Sequence, residues 1–232
     1  MTFSEKAINY YLNLNSPKDL SGNVNTLNPY EKEEVKTAVK KFYTKYFNDS
    51  NKRIFIWGIN PGRFGGGLTG IAFTDPAALR EYCGIDNSAG TKRELSSRFI
   101  YEMISAFGGA EKFYSKCYLT ALYPLALIKD DKNYNYYDEP GLYQSLKPEI
   151  ESSFINQTNF GADKKLAVCL GRKNFIYLTE MNNKFNYFER IEILEHPRYI
   201  MQYKSKTKDD YIRKYISVLN SKSDSIRFYS RL

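Results

Sequence analysis

Asn60 and His196 stand far apart in the chain, yet each follows a short apolar run, where the end of a strand presents side chains to a ligand. Residues 54–76 read IFIWGINPGRFGGGLTGIAFTDP. The run Ile54-Phe55-Ile56-Trp57 is cut by Gly58. Asn60, Pro61 and Gly62 come next, then glycines 65, 66, 67 and 70 around Phe64, and Phe73 before Thr74-Asp75-Pro76. Glycine at this density lets backbone approach a ligand closely, and its N–H groups can receive an oxygen or a phosphate. Two generic motifs fail on context. Gly65–Gly70 satisfies G-x-G-x-x-G, but the dinucleotide fingerprint begins where its strand ends and opens directly into a helix. Six residues separate Gly58 from Gly65, and the next helix starts no earlier than Asp75. No Lys-Ser/Thr follows the glycines, which excludes a phosphate-binding P-loop. His196, the only histidine, precedes Pro197 after the run RIEIL.

The elements that must position these residues alternate. Strands are expected at Arg53–Gly58, Cys117–Leu122, Lys165–Leu170 and Arg190–Glu195. Helices are expected after Asp75-Pro76, over Glu94–Phe107 and Gly141–Asn156, after Gly171, and over Asp209–Leu219. Such alternation predicts a parallel sheet covered on both faces, with ligands bound beyond the carboxyl ends of its strands. Asn60 and His196 would then face each other from different strand ends. The N-terminal 50 residues read as a helix over 4–14 capped by Ser4, a polar loop from Ser16 to Asn28, and a helix opened by Asn28-Pro29 with Val35, Val39, Phe42 and Tyr43 on one side. Residues 129–139 read as a tyrosine-rich loop.

Composition sets outer limits. The 232 residues carry a net charge of +8 with a pI near 9.1, which favours polyanionic partners. No apolar run approaches a membrane span, and the N-terminus lacks a leader pattern, so an intracellular location is expected. Cys83, Cys117 and Cys169 are widely spaced in apolar contexts and fit buried thiols. With one histidine, neither metal nor cofactor is expected.

The motif Gly58-Ile59-Asn60-Pro61-Gly62-Arg63-Phe64-Gly65, then Thr69-Gly70 and Phe73, resembles the first motif of the uracil-DNA glycosylase superfamily, in particular its single-strand-selective monofunctional (SMUG) branch. Leu79–Ile85, Tyr118–Leu125, Val168–Arg172 and Leu194–Pro197 follow in family order. The mismatch-specific branch shares GINPG but usually has Asn where this chain has His196. The resemblance covers about residues 53–220. It implies a three-layer α/β/α fold with a central four-stranded parallel sheet. An N-terminal helical extension (1–50) would pack on the glycosylase-like domain (51–220), with a basic tail at 221–232. The implied activity is hydrolytic removal of an extruded damaged base in base excision repair, by a monomer whose partner is DNA. His196 would donate to the uracil 2-oxygen. Asn60 would hold the water, because an amide orients water but is a poor base. Phe73 would stack on the base, with Ile59, Gly62, Phe64, Thr120 and Ala121 lining its pocket. Arg63, Gly65, Gly66, Arg172, Pro197, Arg198, Tyr199 and Lys204 would contact DNA.

Two positions depart from the family. Ala121 stands where the SMUG branch has an Asn that reads the pairing edge of uracil; Thr120, Tyr123 or backbone groups are the available substitutes. Uracil, hydroxymethyluracil, xanthine and hypoxanthine therefore all stay open as substrates. After His196-Pro197 the family continues Ser-Pro, whereas this chain has Arg198-Tyr199-Ile200-Met201, a loop able to wedge into a vacated stack or to pack against Tyr203. A DNA-binding protein without catalysis, and a nucleotide-binding enzyme using the glycine loop, are the competing readings.

Overall fold

The computed structural model describes residues 1–17 and 20–221; the expected basic tail lies almost wholly outside them. At its centre is a parallel sheet of β2 (Arg53–Gly58), β3 (Cys117–Ala121), β6 (Ala162–Leu170) and β7 (Ile191–Leu194), ordered β3-β2-β6-β7. The continuous apolar runs Ile54–Trp57 of β2 and Leu166–Leu170 of β6 suit strands covered on both faces. Phe55 and Trp57 project to the same face of β2. Phe55 meets Phe3 of α1 (Phe3–Leu12), and Trp57 stacks on Phe154 of α7 (Pro140–Thr158). Helices α2 (Glu33–Phe47), α5 (Leu95–Phe107), α6 (Ala110–Lys116), α8 (Arg172–Phe185) and α10 (Lys208–Asn220) complete the α/β/α layering. Shorter α3 (Gly66–Thr69), α4 (Pro76–Glu81) and α9 (Pro197–Tyr203) follow strand ends or loops near the carboxyl edge.

The chain reverses direction of travel across the sheet between β2 and β6, which opens a crevice beyond their carboxyl ends. Gly58 and Ala121 are register partners, so the glycine loop and the β3 exit emerge side by side.

Several local expectations need correction. Thr2, not Ser4, caps α1: its hydroxyl accepts from the Glu5 N–H while the Glu5 carboxylate accepts from the Thr2 N–H, a reciprocal capping box, and Ser4 is buried. Asn28-Pro29 opens only a 3-10 turn, because Lys32 is extended (φ −95°, ψ 127°) and α2 starts after it. The supposed loops at 16–28 and 129–139 contribute strands to a second, antiparallel sheet. It consists of β1 (Asn25–Leu27), β4 (Ala126–Lys129) and β5 (Lys132–Tyr134), ordered β1-β4-β5. Asp130 and Asp131 make its hairpin turn with φ of 49° and 55°, the doubly left-handed geometry usually signalled by Asn-Gly. The segment after His196-Pro197 is not a loop but α9.

The N-terminal helices share the main core. The Tyr11 hydroxyl lies 2.6 Å from that of Tyr118 on β3 and donates to Gln157 Oε1 on α7 at 2.9 Å. Buried Arg53 donates to Asp49 at 2.8 and 2.9 Å and lies over the rings of Phe3 and Phe47, tying the end of α2 to the start of β2.

Candidate active site

A cleft of about 1100 Å³ opens at the carboxyl edge of the sheet, and both Asn60 and His196 line it. Asn60 leaves β2 in the motif loop. Its Nδ2 donates to the Tyr134 carbonyl of β5 at 2.9 Å, while its Oδ1, buried, has no hydrogen-bond partner. A buried amide oxygen without a partner is costly. Here it is an acceptor without a partner, held in fixed orientation by the bond that Nδ2 makes. Arg63 N–H donates to Asn133 Oδ1 at 2.9 Å, so the hairpin of the second sheet grips the motif loop at two points.

His196 caps α9, its Nδ1 accepting from the Arg198 N–H at 3.2 Å. An acceptor at Nδ1 places the ring proton on Nε2. Burial, with the nearby Arg198 charge, lowers its pKa to about 4, so the ring is neutral at physiological pH. The Phe73 ring lies 6.0 Å from it, tilted 46°. Phe73 has φ +56°, an uncommon conformation for a bulky residue and costing roughly 1 kcal/mol or more. The turn that imposes it is pinned by Thr69 Oγ1 donating to the Thr74 carbonyl at 2.6 Å and by Tyr30 Oη donating to the Gly70 carbonyl at 2.8 Å. The N-terminal segment thus buttresses the turn that presents Phe73. Gly58 is required beneath this ring: a Cβ there would come within 2.6 Å of it.

Of the other expected site residues, Ile59, Gly62, Arg63, Phe64, Gly66, Ala121, Arg172, Arg198 and Tyr199 also line the cleft. Phe64 serves its rim: Arg63 and Lys92 lie over its ring at 4.5 and 5.2 Å. Thr120 must be withdrawn as a base contact. It alternates with Ala121 on β3, faces the opposite way, and is buried in hydrogen bonds with Tyr11 and Gln157. Tyr123 is buried and outside the cleft as well. Gly65, Pro197 and Lys204 do not line it. Gly65 is packed under Glu94, Pro197 is buried at the start of α9, and Lys204 sits at its far end. Ile200 is buried in the core, which removes it from any wedge and leaves Tyr199 and Tyr203 as the exposed rings of α9, 5.5 Å apart.

Sequence reasoning missed Glu94, Asn133, Lys132, Arg93 and the Tyr134 carbonyl. Only Glu94 carried a signal, as an acidic residue opening α5. Six lysine or arginine side chains line the cleft against two carboxylates, a balance suited to a polyanion. The free cysteines are buried, and burial pushes the Cys117 thiol up to about 12, so none is primed as a nucleophile. Among the described residues no three His, Cys, Asp or Glu side chains cluster as a metal site requires, and no helix is long and apolar enough to cross a membrane.

The family model of the uracil DNA glycosylase superfamily matches residues 44–220. The chain belongs to that superfamily. Among solved structures it is similar to wild-type Pedobacter heparinus SMUG2, with 44% identity, a TM-score of 0.89, and coverage of 94% of this chain and 97% of that one. The match places it on the SMUG-like side of the superfamily. No curated protein matches. Membership supports a uracil DNA glycosylase-type function for the chain, with DNA as its partner.

Proposed function

We propose that the chain is a monofunctional DNA glycosylase that everts a damaged base into the cleft and hydrolyses its glycosidic bond, opening base excision repair. The observation that carries this reading is the partnerless Oδ1 of Asn60 in the same cleft as a neutral His196. Eversion puts the base against Phe73, with its oxygen towards His196 Nε2–H. As the bond to the sugar breaks, negative charge gathers on the base, and a fixed neutral donor stabilises it as it forms. Asn60 Oδ1 accepts from a water and aims it at the sugar carbon. An amide does not take the proton, so bond cleavage leads, water capture follows, and the proton that the captured water sheds neutralises the departed base anion. Of the lysines that line the cleft, Lys173 faces Asp138 at 3.8 Å and Lys132 belongs to the β5 hairpin; the scheme uses neither as a Schiff-base nucleophile, hence the monofunctional assignment. One copy supplies every group named, so a monomer suffices.

The basic rim, chiefly Arg63, Arg172 and Arg198, receives phosphates, and Tyr199 with Tyr203 fills the space the base vacates. Unpaired or weakly paired bases cost least to evert, which favours single strands and mismatches. The base class is set at β3. Ala121 has no side-chain donor, and its carbonyl is engaged by Gln157 Nε2 at 3.0 Å. Discrimination therefore falls to His196 and loop backbone, which admits uracil, oxidised uracil and deaminated purines alike.

The test is incubation with oligonucleotides bearing single uracil, hydroxymethyluracil, xanthine or hypoxanthine, followed by alkali. Salt-sensitive binding without strand cleavage would instead mark a binding protein. Two variants probe the pocket. Ala121→Asn is expected to change the ratio of uracil to xanthine release about tenfold, by adding an amide at the base edge; an unchanged ratio shows that Ala121 does not face the base. Gly58→Ala is expected to push Phe73 aside and slow release at least tenfold, with the fold retained by circular dichroism. Normal rates in that variant would remove Phe73 from the stacking role.

A further inference from the structure

Glu94 is a carboxylate in the cleft that the scheme above does not use. It opens α5, and its Oε1 accepts from the Phe64 N–H at 3.2 Å. Its two carboxylate oxygens fill the spaces beside Gly62 and Gly65, each only 2.3 Å from where a Cβ would stand, which explains why the motif loop has glycine at both positions. Its own N–H donates to Asp75 Oδ2 at 2.8 Å, and Asp75 caps α4, so the backbone that carries the side chain is fixed; Ser96 Oγ donates to Oε2 at 3.5 Å. Two carboxylates line the cleft, and they differ in kind. Glu195 is neutralised by Lys214 at 3.0 Å, whereas Glu94 has no ion-pair partner among the described residues; adjacent Arg93 pairs with Glu81 instead.

Burial pushes the Glu94 carboxyl above its usual range, and the Asp75 charge adds to this; the Phe64 N–H and Arg198 act in the opposite direction. An unpaired, partly desolvated carboxylate is a feature that stability alone would not select. Its position suggests what it does. In the proposed pose, with the base against Phe73 and its oxygen towards His196, a deoxyribose beside Asn60 would lie along residues 60–65, the stretch that Glu94 covers at Gly62 and Gly65. Gly62 and Asn60 are two residues apart, so the carboxylate lies within about 12 Å of the Asn60 Cα.

We propose that Glu94 supplies the negative charge that the amide Asn60 lacks, stabilising the positive charge that builds on the deoxyribose as the glycosidic bond breaks. The inference rests on the glycosylase reading and deepens it. A carboxylate in a low-dielectric cleft acts on such a charge without touching it. The same charge repels DNA phosphates in the ground state. Its removal therefore has opposite effects on binding and on bond cleavage, a signature that a merely structural role does not give.

Single-turnover base release, binding to DNA with a tetrahydrofuran abasic site, and melting temperature are measured for wild type, Glu94→Gln and Glu94→Asp. Glu94→Gln is expected to release base at least tenfold more slowly, to bind the abasic DNA as tightly or more tightly, and to melt no lower. Glu94→Asp, which keeps the charge but loses reach, is expected to retain more of the rate than Glu94→Gln. Wild-type rates in Glu94→Gln overturn the inference. So does a loss of rate matched by weaker binding and a lower melting temperature, or a reversed order of Gln and Asp. A wild-type chain that releases no base overturns the glycosylase reading itself, a separate outcome.

Discussion

His196→Ala is expected to slow base release by two to three orders of magnitude, the usual consequence of removing one preorganised donor from a developing oxyanion. The side chain has a second duty that the experiment must separate. Its Nδ1 caps α9, and losing a cap costs about 1 kcal/mol of stability. His196→Ser keeps an acceptor at the cap but lacks the reach of the Nε2 donor. It should melt close to wild type while releasing base as slowly as His196→Ala. Near-wild-type rates in the serine variant would assign His196 to the helix alone. The donor is neutral because burial and Arg198 hold its pKa near 4. This is the only histidine of the chain, so its ring signals in a proton NMR titration are unambiguous. They should not shift between pH 8 and pH 5, and a midpoint near 6.5 would contradict the site as described. The sign for stability follows. As pH falls from 6.5 towards 4 the unfolded chain takes up a proton that the folded chain refuses, so stability drops across that window by up to about 3 kcal/mol.

Asn60→Ala is expected to cost a hundredfold or more in release, with DNA affinity little changed. Holding the attacking water in position is worth about that much. The carboxamide is held at one end only, by the Tyr134 carbonyl, and its oxygen has no partner. Alanine deletes that acceptor and leaves the Tyr134 carbonyl without its donor, a local loss of about 1 kcal/mol that thermal melting would show as a small shift. If single-turnover rates with uracil DNA were unaffected, the water would have to be held elsewhere and the motif loop would be a scaffold.

The central sheet was legible because its cause is local. Arg53–Gly58 and Cys117–Ala121 are short apolar runs ended by Gly58 or by Tyr123-Pro124, and a buried parallel strand writes itself that way. The juxtaposition of Asn60 and His196 followed from strand ends meeting at one edge. What stayed hidden depends on partners remote in sequence. Strand β1 and the β4–β5 hairpin are three or four residues each and exist because they pair with one another, and Asp130-Asp131 gives a weak turn signal. The hold of Tyr134 on Asn60 is made by a backbone carbonyl, which no side-chain pattern can announce. Thr120 failed as a base contact through parity: one residue along a strand reverses the face, and Ala121 takes the side towards the cleft. Glu94 was passed over because an acidic residue at a helix start reads as ordinary capping. Its meaning appears only when the glycines beneath it are seen to make room for it.

Alkali-revealed cleavage of an oligonucleotide carrying one uracil, run in parallel for wild type and Asn60→Ala, tests the central claim most directly. Wild type should convert the uracil site to an alkali-labile abasic site while Asn60→Ala leaves the strand largely intact over the same interval. Equal conversion by both would take the chemistry away from this cleft. An absence of conversion by wild type on uracil, hydroxymethyluracil, xanthine and hypoxanthine DNA alike would take the activity away from the chain.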